Sequence, residues 1–267
     1  MKINEKDISV VIPMYNSEQS ISKVLTSIIN QTYSAYIAEI IVINDGSTDN
    51  SRQIVEAIRS NSSLKINLVN CKNGGVSRAR NIGLSKVKTK WIALCDSDDE
   101  WMRDKIEHQV RIINSKSDID FLGGNHVPWM QKYFLKKIDR LRRISIKDLC
   151  MKILPQTSTA IFRKKIFEEI GGYDEKQNYA EDGNFFMKIA AKYKYYYDPK
   201  QVVIYGDGKN GFGESGLSAN IGEMHKGIEK NLKEMYEKGY ISKLFLMLSL
   251  LLEKIKYLRR KIKVKNI

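Results

Sequence analysis

Four apolar runs recur through the first hundred residues, and each ends on a polar turn: 8–15 (ISVVIPMY), 40–44 (IIVIN), 66–70 (INLVN) and 91–95 (WIALC). They are too short for buried helices, rich in Ile and Val, and bounded by Asn, Asp, Gly and Ser, so they read as strands buried on both faces. Between them the period changes. Ile21, Val24, Leu25, Ile28 and Ile29 fall at helical spacing after Ser17 and Glu18, and Ile54, Val55 and Ile58 do so after Ser47. Strands alternating with helices at this pace predict an α/β fold with a mostly parallel sheet flanked by helices. In such sheets ligands bind beyond the carboxyl ends of the strands, which is where Asn16, Asp45, Asn73 and Asp96 fall.

Beyond Trp101 the rhythm weakens. Helices are expected over 102–114, 163–170 and 183–191, and strands over 119–122, 157–162 and 201–205. A glycine-rich loop, 206–216, precedes a chain that reads as helical from Glu223 to its end. The 267 residues suffice for one large domain with an appendage. Three scattered cysteines, Cys71, Cys95 and Cys150, without paired spacing, read as buried reduced thiols. Residues 1–7 lack the basic start and apolar stretch of a secretory signal, so a cytoplasmic protein is expected. The longest apolar run, 244–252, is well short of the ~20 residues that span a bilayer.

The fourth strand delivers Asp96, Asp98 and Asp99 within four residues. Such clustering either caps the following helix or shares a cation. Hard oxygen donors two residues apart suit Mg2+ or Mn2+ holding a nucleoside diphosphate, and the lack of a Cys/His grouping argues against zinc.

Set in order, SVVIPMYNSEQSISKVLTSIINQTY, EIIVINDGSTDNS, NGGVSRARNIGLSKVKTKWIALCDSDDEW and GGYDEKQNYAEDGNFFMKIA resemble the family 2 glycosyltransferases of the GT-A fold over roughly the first 200 residues. The resemblance implies an inverting, metal-dependent enzyme with a nucleotide-binding half over 1–100, an acceptor half over 101–205, and an active-site loop with basic amphipathic helices over 206–267. Pro13, Tyr15, Asn16 and Glu18 match the loop that embraces the nucleoside, and Asp45 the carboxylate that reads the base, favouring a uridine donor. Arg80 is placed to meet nucleotide or diphosphate, with a solvated helix face as the plainer reading. Asp96 and Ser97 match the ribose side, and Asp98 with Asp96 the metal, Mn2+ or Mg2+; Asp99 and His225 are further candidate ligands. Asp182 matches the general base, with Glu181 beside it, although two acids opening a helix also suit its dipole. The 206–216 loop is expected to hinge over the donor or merely to link the last helices.

The net charge of +14 is a statement about partners. Lys132, Lys136, Lys137, Arg140, Arg142 and Arg143 alternate with apolar residues, and the tail repeats the idea with Lys254, Lys256, Arg259, Arg260, Lys261, Lys263 and Lys265 after 244–252. A basic apolar helix reads as lying on an anionic membrane surface, and the interleaved apolar residues, with no nucleic-acid module, argue against nucleic acid. The 213–218 stretch (GESGLS) followed by a basic tail is similar to bacterial enzymes that build O-antigen or capsule on undecaprenyl diphosphate. The expected donor is a UDP-hexose, glucose or galactose before GlcNAc, and the expected acceptor an undecaprenyl-diphosphate-linked sugar such as GlcNAc, at the inner face of the bacterial plasma membrane. The rivals are a sugar-nucleotide-binding protein without catalysis, which the intact Glu181-Asp182 pair argues against, and a nucleotidyltransferase. The latter would carry a Gly-rich basic loop where Pro13-Met14-Tyr15-Asn16 stands.

Overall fold

The structure, a computed structural model, describes residues 2–133, 136–206 and 219–265. Strands β1 (Ile8–Met14), β2 (Ile37–Asp45), β3 (Ile66–Cys71) and β4 (Trp91–Leu94) form at the four apolar runs, joined through helices α1 (Ile21–Ile29), α2 (Ser51–Asn61) and α3 (Val76–Lys86). Next come β5 (Glu100–Trp101), α4 (Lys105–Ser115), β6 (Phe121–Asn125), β7 (Lys132–Tyr133), β8 (Lys136–Lys137), β9 (Arg142–Arg143) and α5 (Ile146–Met151). The chain closes with β10 (Ile161–Arg163), α6 (Lys164–Ile170), α7 (Glu181–Lys192), β11 (Tyr195–Gln201), β12 (Val203–Ile204), α8 (Ile221–Glu237) and α9 (Lys243–Lys265).

Eight strands make one sheet in the order β3-β2-β1-β4-β10-β6-β11-β9. Pairings among β1 to β4 and between β6 and β11 are parallel, whereas β10 is antiparallel to both neighbours and β9 to β11. Period-two alternation along β1 divides the core. Val10 and Ile12 face the layer of α1, α2 and α4, while Val11 faces the layer of α3 and the later helices. Strand order reverses between β1 and β4, so a crevice opens beyond the ends of those two strands.

Three expectations need correction. The 195–201 strand was not foreseen, because Pro199 breaks its pattern; the ladder to β6 does shift register between Tyr197 and Gln201, and a proline is tolerated at such an irregularity. The expected 157–162 strand is a 3-10 turn over Thr157–Thr159 followed by β10. The basic segment 132–143 is no membrane-lying helix: β7 pairs with β8 as a hairpin and β9 joins the sheet edge, while Ile138 and Leu141 turn into the core. Phe134, Leu135 and everything expected of the 206–216 loop after Gly206, with the 213–218 stretch, lie outside the described residues.

Gly123 in β6 lets Pro155 lie against the sheet. A Cβ there would meet the ring Cγ at 2.0 Å, and a proline ring cannot swing aside. Gly123→Ala should therefore cost about 2 kcal/mol of stability as an overpacked core, read as a lowered midpoint in thermal unfolding.

Candidate functional site

The crevice at the reversal point is laced by short hydroxyl bonds. Ser17 Oγ and Ser97 Oγ lie 2.8 Å apart, and Ser20 donates to the Ser97 carbonyl at 2.7 Å, joining the ends of β1 and β4. Asn16 takes the left-handed conformation at φ 46° that Asn tolerates. Its amide oxygen accepts from Thr48 N–H at 2.9 Å, and Glu18 Oε2 accepts from the backbone and side chain of Asn50, each at 3.0 Å. Asn16 and Glu18 thus zip the β1 loop to the β2 loop and build the wall. Tyr15, about half exposed, is the side chain of this loop that presents an open face, and Pro13 is buried within β1.

Asp45 is buried, and its two oxygens accept from the N–H groups of Gly74 (3.0 Å) and Gly75 (2.8 Å). It fixes the turn that opens α3, where Gly75 sits at φ 89°. The Cys71 thiol also donates to Oδ1 at 3.6 Å, so it is Oδ2 that keeps a lone pair for a ligand.

Arg80 is the centre of the site, and its burial rules out the solvated-helix-face reading. It is 5% exposed, donates Nη2 to Asp96 Oδ1 at 2.7 Å and Nη1 to Glu181 Oε1 at 2.9 Å, and stacks 5.1 Å from the Tyr173 ring centroid. Its neighbours on the same face of α3 hold the facing segment: Ser77 donates to the Gln177 carbonyl, and Asn81 exchanges bonds with both backbone groups of Tyr173. Gly172 permits the Asn81 contact, since a Cβ there would lie 2.0 Å from Oδ1. Helix α3 therefore binds the segment before α7 with residues at i, i+3 and i+4.

The three carboxylates after β4 part company. Asp98 is exposed and Asp96 half-buried with one oxygen on Arg80. Asp99 is fully buried and accepts from Gln156 Nε2 (2.6 Å), Ser158 Oγ and Gly206 N–H (2.9 Å). Burial, reinforced by the charges of Asp96 and Asp98, pushes it up to about 8. As a metal ligand Asp99 is ill placed, because it ties the 3-10 turn to the start of the 206–216 segment. The turn is buttressed from α4: buried Lys105 donates to Gln109, which donates to the Thr159 carbonyl.

Glu181 and Asp182 open α7, following Ala180 at φ 55°. Burial and the neighbouring Asp182 push Glu181 up to about 7 against the pull of Arg80. Burial also raises Asp182, against the lowering effect of its 2.6 Å bond from Gly183 N–H and of Arg80. The strained turn is held by residues that carried no legible signal. Asn231 on α8 donates to the Ala180 carbonyl at 2.8 Å and accepts from Gln177 Nε2 (2.8 Å) and Asn184 Nδ2 (3.1 Å). At Gly227, one turn earlier, a Cβ would sit 2.3 Å from the Tyr179 carbonyl oxygen, so α8 lies directly on this turn.

His225 stands apart from the aspartates. Its ring stacks on Tyr257 at 4.2 Å, with Nδ1 3.4 Å from Glu253 and Nε2 3.6 Å from Glu229. It joins α8 to α9. Among the described residues no three His, Cys, Asp or Glu side chains form a ready metal cluster. Asp96 and Asp98 still offer the hard oxygens that Mg2+ or Mn2+ takes when phosphate and water complete its shell.

The glycosyl transferase family 2 profile matches residues 9–171. An uncharacterised glycosyltransferase of Rickettsia prowazekii is 28% identical over 204 residues, 73% of this chain and 62% of that protein, so the chain spans less than two thirds of its length. The UDP-Glc:α-D-GlcNAc-diphosphoundecaprenol β-1,3-glucosyltransferase WfgD of Escherichia coli is 37% identical over 120 residues, 45% of each chain. The fold is that of the Pyrobaculum calidifontis mannosyltransferase PcManGT solved with GDP-Man and Mn2+, at TM-score 0.73 and 20% identity over 93% of this chain and 70% of that one. Staphylococcus aureus TarS 1-349 in complex with UDP-GlcNAc superposes at TM-score 0.71 and 21% identity, over 94% and 70%.

Two outcomes test this geometry. Arg80→Met strands Asp96 and Glu181 without their cation and should cost about 3–5 kcal/mol, measured by denaturant unfolding. Asn231→Ala leaves the Ala180 carbonyl, Gln177 and Asn184 short of a partner and should cost about 1–3 kcal/mol by the same measurement.

Proposed function

The chain belongs to glycosyl transferase family 2, and we propose that it moves a hexose, glucose or galactose, from a UDP-sugar to a lipid-linked acceptor with inversion at the anomeric carbon. The observation that carries this reading is the Arg80 bridge, which ties the strand-end carboxylate Asp96 to Glu181 of the Glu181-Asp182 pair. One side is suited to a nucleoside diphosphate and its cation, the other to a hydroxyl that must lose a proton.

In this reading Tyr15 offers its exposed ring to the base, and Asp45 the remaining lone pair of Oδ2 to the base edge. Asp96 and Ser97 line the ribose side, and Asp98 with Asp96 holds Mn2+ or Mg2+. A divalent ion there supplies positive charge against the diphosphate as it departs. Asp182 accepts the proton of the acceptor hydroxyl while its oxygen forms a bond to the anomeric carbon and the bond to the diphosphate breaks on the opposite face. Burial supports the assignment, since a carboxyl held above its ordinary value of 3.8 is a stronger base than one in water. Glu181, bound to Arg80, orients the pair.

The name of WfgD favours glucose as the sugar and an undecaprenyl-diphosphate-linked GlcNAc as the acceptor; the proposed setting is O-antigen or related polysaccharide synthesis at the cytoplasmic face of the membrane. UDP-GlcNAc, the ligand in the TarS complex, is the competitor in any donor screen. No described helix is long and apolar enough to cross a membrane, so the lipid acceptor would be met at its surface.

Asp182→Asn should abolish transfer, by at least a thousandfold in kcat, and still be stabilised by UDP with Mn2+; turnover within a few fold of wild type would remove Asp182 from the mechanism. UDP at about a hundredfold its Kd should add about 2.7 kcal/mol of stability, visible as a raised Tm that GDP does not match. The wild-type kcat should fall on acidification through a pKa above 3.8, because the base works only unprotonated and its folded value is raised. A pH-rate profile flat down to pH 4 would contradict it.

A further inference from the structure

Helix α9 has two faces of different chemistry. One packs on α8 and α5: Phe245, Leu246 and Leu250 join the core, Ser249 and Glu253 are buried, Lys256 donates to the Met151 carbonyl, and Tyr257 stacks on His225. The opposite face is apolar and open. Leu244, Met247, Leu248, Leu251, Ile255, Leu258 and Ile262 are 47–69% exposed. Six of them follow a four-three spacing from 244 to 262, a straight stripe about 27 Å long at 1.5 Å per residue. So continuous an exposed apolar surface marks an interaction site. Its borders are cationic, with Lys254 and Lys261 exposed along one edge and Arg259 along the other.

The same spacing is that of a coiled-coil seam, so a second copy of the chain is the competing occupant. Charge decides between them. With the stripe at the a and d positions, Lys254 and Lys261 occupy g and Arg259 occupies e. A parallel partner would set Lys254 against Arg259 of the other copy, and an antiparallel one would set lysine against lysine; like charges on both flanks oppose either pairing. An anionic bilayer surface satisfies both features at once, taking the apolar side chains below its headgroups and the cations among them.

We propose that the outer face of α9 docks on an anionic lipid surface, with the helix lying in the interface plane and the stripe buried. It deepens the lipid-acceptor reading above but stands on the exposed face of α9 alone. The hairpin of β7 and β8 is not required, since the apolar residues near it turn inward.

The test is co-sedimentation of the whole chain with phosphatidylcholine vesicles, with and without about 30% phosphatidylglycerol. Wild type should partition at least tenfold more strongly to the anionic vesicles at low salt, and lose most of that preference in high salt. Leu251→Glu/Ile255→Glu should lose binding at least tenfold, and Lys254→Glu/Lys261→Glu should lose the anionic preference. The four side chains are exposed, and Lys261 gives up only its 5.4 Å approach to the Tyr257 ring, so each variant should stay folded and keep the Tm rise with UDP. Equal partition to both vesicle types, or unchanged binding by both variants, overturns the proposal. So does a wild-type dimer in light scattering that Leu251→Glu/Ile255→Glu converts to monomer. Wild type that ignores both vesicle types while its UDP response persists refutes the docking face and leaves the transferase reading standing; wild type that binds anionic vesicles without a UDP response does the opposite.

Discussion

A single buried guanidinium ties the end of β4 to the start of α7. Arg80 bonds the carboxylate at the end of β4 and the one that opens α7, elements that reach the crevice from different parts of the sheet. A buried guanidinium and the buried Glu181 are costly apart, and their bond, with that to half-buried Asp96, compensates through the planar fork of the guanidinium. Lysine could not span both partners. With Ser77 and Asn81 on the same face, α3 becomes the clamp on which the 172–181 segment is moulded. The local sequence SRARN is thus a packing device as much as a ligand-binding one.

The electrostatics of the acid pair follow from that burial. A helix amino terminus favours negative charge by about 0.3–1 kcal/mol, and Arg80 adds to the same side. Desolvation outweighs both at Glu181: moving a carboxyl from 4.5 to about 7 disfavours its charged form by about 3 kcal/mol. The pair therefore opens α7 for reasons beyond the helix dipole. A simple cap would be exposed, whereas Glu181 is buried with half-buried Asp182 beside it, behind a left-handed Ala180.

The legible part of the fold is the part whose sequence repeats. Strands β1 to β4 and the helices between them announce themselves by runs of Ile and Val alternating with helical spacing, and the polar strand ends mark the crevice. In the second half the signals compete. Tyr195 to Gln201 forms a strand in spite of Pro199, and basic residues that read as a surface helix fold into short strands because Ile138 and Leu141 find places in the core. The chemistry of single residues was read less well than their positions. Asp99 and Asp98 are adjacent and identical, yet one is fully buried among donors and the other open, a difference set by Ser158 and Gln156 some sixty residues away. Asn231 gave no signal, because a polar residue in an amphipathic helix looks alike whether it meets water or a carbonyl.

The helices after residue 219 belong to the site and are no mere tail. Helix α8 touches both the acid pair and the outermost helix: Gly227 and Asn231 close on the turn before Glu181, while His225 and Glu253 lock α8 to α9. A glycine where any Cβ would strike the Tyr179 carbonyl lets α8 pack directly on that turn. The open apolar face of α9 is carried on the same rigid contacts. Whatever surface that face meets is consequently held at a set height and tilt relative to Asp182. Helical packing, in place of a flexible tether, would present a surface-bound acceptor to the base.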